Sequence, residues 1–138
     1  MTRIFRWTFV AAFVLITVLV VIPNPEDVAP GTDMTRWFSR LLFGDVEHAD
    51  KVAHFIAFGG LGGLGALSRF ERPFIFAWGP AALAAWGGLL EIVQGFIAER
   101  QTDVFDAMTN ALGAACGWMG GLVLVAVLAR TLVKDANA

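Results

Sequence analysis

Charge is scarce in this chain. Lys, Arg, Asp and Glu make up 16% of the 138 residues, against a hydrophobic share of 57% and a mean hydropathy of +0.68. A soluble domain carries roughly 25% charged and about 45–50% apolar residues. The shortfall argues against an ordinary water-soluble surface and points to a membrane protein. Basic residues are not in excess either. The net charge is −2, and no basic patch is available to displace counterions from phosphates, so a nucleic-acid partner is excluded. Cysteine is almost missing. Cys116 stands alone in an apolar run, which rules out an intrachain disulfide and a thiolate metal site. A small buried residue is the expectation there.

Other signals are missing too. No strand-like alternation of useful length occurs, so the chain reads as all helix. The stretch GGLGGLG has neither the Lys-Ser/Thr ending nor a preceding strand, and it reads as helix packing rather than a phosphate loop. The first apolar run follows Arg3 and Arg6 as a signal peptide would, but PNPEDVAPG follows it in place of a small-x-small cleavage site. It is read as a retained span.

What is present is a set of long apolar segments. A bilayer span needs about 20 mostly apolar residues. Four candidates fit, at about 4–22, 51–68, 74–96 and 104–128. Pro80 falls inside the third, where membrane helices tolerate a kink. Between the first two lies DMTRWFSRLLF, about 33–43. It has Met34, Trp37, Phe38 and Leu41 on one side and Asp33, Arg36 and Arg40 on the other. That is a short amphipathic helix, placed either in the headgroup region or against the mouth of the bundle. The predicted fold is a single all-α domain over 1–138, a polytopic membrane bundle of four transmembrane helices plus this interfacial helix. With the N terminus cytoplasmic, Arg3, Arg6, Arg69, Arg72, Arg130 and Lys134 lie inside, and Arg36, Arg40, Lys51 and Arg100 lie outside. The bias places both termini in the cytoplasm. Gly113, Gly117 and Gly121 recur every four residues in the fourth span, as Gly59 and Gly63 do in the second. Such spacing makes grooves for close helix approach.

The few ionisable groups are not scattered. In this topology Asp50, Lys51 and His54 open the second span on the outer side, Glu91 and Gln94 close the third there, and Asp103, Asp106 and Asn110 open the fourth. Arg100 lies in the loop between the last two. The spacings of three and four place each set on one helix face, and polar stripes in lipid must face one another. Glu91 lies on the order of 8 Å below the end of its span, at roughly 1.5 Å per residue. Its charge there needs a partner, and Arg100, Lys51 or protonated His54 are within the same end of the bundle.

The two blocks DKVAHFIAFGGLG and EIVQGFIAERQTDVFDAMTNALGAACG resemble the VanZ-like family of small bacterial membrane proteins. The matching positions are Asp50, Lys51, His54, Phe55 and Phe58, then Glu91, Gln94, Phe96, Arg100, Asp103, Asp106, Asn110, Gly113 and Gly117. They cover Asp50 to Gly121, about half the chain. The family takes its name from a protein associated with teicoplanin resistance. The resemblance implies a protein of the bacterial inner membrane and cell envelope, with an outward-facing polar pocket, and it supplies no reaction.

Three readings of the polar groups follow. In the first, the pocket binds a lipid-linked envelope precursor or a lipoglycopeptide, with Asp50, Lys51, Gln94, Arg100 and Asn110 as contacts. In the second, the protein is a membrane-embedded enzyme on such a substrate. Glu91 and His54 then act as acid and base, Asp103 and Asp106 orient His54 or bind a cation, and Lys51 and Arg100 hold a phosphate or carboxylate. No nucleophilic Ser or Cys accompanies them, which argues against an acyl-enzyme. In the third, the network only fixes helix register. No cofactor is required by the sequence. His54, Glu91, Asp103 and Asp106 could offer one nitrogen and several oxygens to zinc or manganese, although no HExxH motif accompanies them. The partner common to all readings is the lipid bilayer, and the glycine faces suit a dimer as well as a monomer.

Overall fold

The structure is a computed structural model that describes residues 2–22, 32–68, 73–97 and 103–136. It contains five helices and, among these residues, no strand. They are α1 (Thr2–Val21), α2 (Thr32–Phe43), α3 (Ala49–Ser68), α4 (Pro73–Gln94) and α5 (Val104–Ala136). All four predicted spans and the amphipathic segment are helices, with bounds shifted by a few residues. The largest shift is in α5, which continues to Ala136 beyond the predicted end of the span at about 128. The intervening sequence has neither Gly nor Pro after Gly121, so nothing in it stops the helix. The loop PNPEDVAPG and the orientation markers Arg69 and Arg72 lie outside the described residues.

Two helices, α1 over Arg3–Val21 and α5 over Val104–Arg130, are long and apolar enough to cross a membrane. α3 and α4 are 20 and 22 residues long but do not reach the same combined standard of length and apolarity. The outer surface of the helices is apolar. Trp7, Val14 and Leu15 of α1, Ile92 of α4, and Leu112, Met119 and Val123 of α5 all lie exposed. Soluble monomers seldom show apolar surface on this scale.

The seam between α3 and α5 is the most extensive contact, with α4 laid against α5 and α1 across α3 and α4. α3 and α5 run parallel, because Lys51 meets Asp103 at one end and Gly63 meets Gly121 further along. Glycine makes the approach possible. A Cβ on Gly117 would strike the carbonyl oxygen of Gly59, and one on Gly62 would strike that of Ala114. The groove predicted on each helix is therefore one interface, with each stripe seated on the other. Trp118 fills the notch left by Gly65 and Gly79. Phe58, Leu61, Leu83, Leu90 and Ala114 form the core, flanked by Phe13, Ile16 and Trp86.

Cys116 departs from expectation. It is exposed, because Gly113, Gly117 and Trp118 are the face that α5 turns to its neighbours.

α2 ends at Gly44, whose φ of 84° suits a left-handed cap and whose N–H donates to Arg40 O at 3.0 Å. It packs beside α3 with Ser39 buried, leaving Met34, Trp37 and Leu41 exposed as an apolar stripe. His48, in the turn before α3, stays partly exposed. Its ring stacks on Phe43 with centroids 4.9 Å apart, and Nδ1 lies 3.3 Å from Asp45 Oδ1.

Candidate functional site

The four long helices α1, α3, α4 and α5 alternate in direction along the chain, and three of them bring their polar stripes to one end. α3 starts there with Asp50, Lys51 and His54, α4 finishes there with Glu91 and Gln94, and α5 starts there with Asp106 and Asn110, preceded by Asp103.

His54 is the centre. Its Nδ1 is 3.0 Å from Asn110 Oδ1 and 3.9 Å from Glu91 Oε1, while Nε2 is 4.0 Å from Asp106 Oδ2. An amide oxygen only accepts, so Nδ1 carries the proton and donates to Asn110. In the neutral ring the lone pair is then on Nε2, toward Asp106. These four residues are buried: Glu91 is 2% exposed, Asn110 0%, and His54 and Asp106 8% each. The outward-facing pocket expected from the sequence is thus a packed polar core with an accessible rim. A shallow groove of about 430 Å³ does exist, but it is lined by Arg3, Arg6, Trp7 and Val10 of α1, near the other end.

Lys51 forms the rim. Its Nζ lies 2.9 Å from Asp103 Oδ2, 3.4 Å from Asp50 Oδ2 and 3.5 Å from Asp106 Oδ1. Asp103 also caps α5, accepting the Phe105 N–H on Oδ1 at 2.8 Å, which satisfies an orphan donor of the first turn. The Lys51 ammonium and, after it, this amide hold the Asp103 carboxyl below the ordinary aspartate value. The cap was readable in the sequence, since Asp103 directly precedes an apolar helical run.

The remaining predicted residues divide. Asp50 is exposed beside Lys51. Gln94 is brought to this end, but its Nε2 donates to Val20 O of α1 at 2.8 Å. Arg100 lies outside the described residues. Gly87 was missed. A Cβ there would come within 2.7 Å of Asn110 Cβ and 3.0 Å of Phe58 Cε1, so its lack of a side chain lets Asn110 reach His54. The signal was its position four residues before Glu91, on the same helix face.

A sequence model of the VanZ/LLP1 family matches residues 7–128. The chain belongs to the VanZ/LLP1 family. The match takes in most of α1, all of α2 and every residue of the polar cluster, and so extends well beyond the two blocks that carry the resemblance in the sequence. Family membership and the two apolar helices mark a membrane protein. Among curated proteins and among solved structures, none matches the chain.

Proposed function

We propose that this VanZ/LLP1 protein spans the bacterial inner membrane four times, with both termini cytoplasmic. The polar end of the bundle then faces outward and binds the headgroup of a lipid-linked envelope molecule or a lipoglycopeptide of the teicoplanin type. α3 and α4 are each about 30 Å long at roughly 1.5 Å per residue, enough for the hydrocarbon core. The exposed stripe Met34, Trp37 and Leu41 of α2 suits the headgroup layer on that same side.

The observation that carries this reading is the gathering of ionisable groups from three helices at one end, buried at the centre and accessible at Lys51, Asp50 and Asp103. Ionisable residues at membrane depth are costly and mark function more often than packing. The charge balance refines the ligand. Among the described residues, Asp50, Asp103 and Asp106 all face the one cation Lys51. Such a surplus of acceptors favours a headgroup that presents amines or hydroxyls.

A second reading has its own support. Buried His54, Glu91 and Asp106 offer atoms that all lie within 4.8 Å of one another, close enough for proton transfer through one bridging water. In that case the protein is an enzyme on the same class of lipid-linked substrate, with Glu91 and His54 as the acid–base pair.

Lipid profiling of a deletion strain complemented with wild type or Glu91→Gln separates the readings. An envelope lipid that accumulates on deletion and is cleared only by wild type supports chemistry. An unchanged lipid profile, with a teicoplanin-sensitivity phenotype restored by wild type, supports binding. Equal loss of folded protein for Glu91→Gln and Asp106→Asn, with neither lipid change nor drug phenotype on deletion, leaves only a register-fixing network and overturns both.

A further inference from the structure

We infer that His54, Glu91 and Asp106 form a site for one divalent transition-metal cation, zinc(II) or manganese(II). The sequence alone required no metal. The geometry changes the balance in three ways.

First, the three residues come from three different helices, and one donor atom of each lies within 4.8 Å of the other two. Donors bound to one ion at about 2.0–2.2 Å stand roughly 3–4 Å apart. Side-chain rotation closes the difference, chiefly that of Glu91, whose Oε1 stands 3.9 Å from Nδ1, whereas Asp106 Oδ2 already stands 4.0 Å from Nε2. Asp103, an equal candidate in the sequence, is not in this set. Its carboxylate is taken by Lys51 and the α5 cap.

Second, the histidine is prepared as metal-ligating histidines are. Asn110 Oδ1 holds Nδ1–H at 3.0 Å, which fixes the tautomer and orients the ring. The Nε2 lone pair is left toward Asp106. One imidazole with two carboxylates is a donor set for zinc or manganese rather than for calcium or magnesium, which prefer oxygen alone.

Third, the cluster has unmet demand for a ligand. Asn110 is fully buried, and its Nδ2 has no hydrogen-bond partner among the described residues. Asp106 Oδ1, also buried, has none either, with only the longer 3.5 Å approach of Lys51. A divalent cation would meet the buried Asp106 oxygen that Lys51 approaches only at 3.5 Å, and an amide donor suits the water that completes such a coordination shell. The inference concerns the cluster of the proposed function but does not rest on a lipid ligand, because metal content and ligand identity are read by separate measurements.

The test uses the full chain purified in detergent micelles, stripped with chelator and reloaded with zinc(II) or manganese(II) separately. Wild type is expected to retain about one ion per chain by elemental mass spectrometry and to unfold at a higher temperature when loaded. His54→Ala and Asp106→Asn should each weaken retention at least about tenfold, since loss of an outer-shell partner alone commonly costs 10–100-fold. His48→Ala should not change it. A second measurement needs no cluster variant to fold. The chain has two histidines, so nitrogen hyperfine coupling in the pulsed EPR of manganese-loaded His48→Ala protein must come from His54. Wild type that retains no ion, folded His54→Ala that retains as much as wild type, or manganese without nitrogen coupling would each overturn the site.

Discussion

α5 and α1 join the bundle by opposite means. α5 meets α3 along a glycine seam in which backbone rests on backbone. α1 lies on α3 and α4 through aromatic side chains and hydrogen bonds that include Arg6 Nε to Ser68 O at 3.2 Å, Trp86 Nε1 to Thr17 Oγ1 at 3.1 Å, and Gln94 Nε2 to Val20 O at 2.8 Å. Phe13 adds a ring contact to Trp86, 5.3 Å between centroids. The seam has no freedom to adjust, because the atoms a new side chain would strike are carbonyls and amides of the opposing helix. The α1 contacts are made by side chains, which can repack around a loss. Close packing and interhelical hydrogen bonds both drive association where no hydrophobic force separates helix from lipid, and this chain assigns them to different helices.

The comparison can be broken most severely at the seam. Gly62→Val places a side chain against Ala114 O and within 2.9 Å of the Trp118 backbone nitrogen. Overpacking against backbone costs about 1–3 kcal/mol and often more. The expected result is loss of most monodisperse protein in size-exclusion chromatography, with the remainder unfolding at lower temperature. At α1, Thr17→Val keeps the shape and removes one hydrogen bond. A loss of about 0.5–1.5 kcal/mol is expected, seen as a small drop in thermal midpoint with normal yield. Equal damage from the two substitutions would dissolve the distinction.

The smallest effect is a pH dependence at the rim that joins α3 to α5. Asp103 titrates below the ordinary value of 3.8 because Lys51 donates to it. A carboxyl with a depressed folded-state pKa binds protons more readily when unfolded, so its stabilising contribution is complete above that ordinary value and disappears as pH falls through the folded-state pKa. Thermal unfolding followed from neutral pH to about pH 3 should show this acid-side loss in wild type and less of it in Asp103→Asn. An identical acid profile in the variant would remove the Lys51 link from the account.

Most of the helices and the end where polar groups gather were legible in the sequence. A run of apolar residues long enough to span needs no partner to be recognised, and residues three and four apart share a face whatever surrounds them. This is why His54, Glu91, Asp106 and Asn110 could be placed together before any coordinates. What spacing does not give is which partner each group takes when several are within reach. Lys51 was read as a contact for an anion, yet it is held by Asp50, Asp103 and Asp106. Gln94 was read as part of the site, and its amide nitrogen turns to α1. Both outcomes depend on how the helices are rotated about their axes, which the glycine seam and the Thr17–Trp86 contact decide. Cys116 was misread for the same reason, since an apolar run in a membrane protein has an outward face as well as an inward one. Gly87 shows the limit from the other side. Its role is to be small beneath Asn110, and its place four residues before Glu91 marks the face but not the need for a missing side chain.

The parallel course of α3 and α5 bears on how the protein is made. Two parallel neighbours cannot be joined by a tight hairpin, so α4 must return the chain before the second of them can be laid down. In the proposed four-span arrangement, His54 and Glu91 therefore enter the bilayer ahead of Asp106 and Asn110, and for that interval neither has its later neighbours on α5. On that arrangement, completion of the cluster is coupled to insertion of the third of these helices, and a chain halted before it would hold His54 and Glu91 without the α5 half of their cluster.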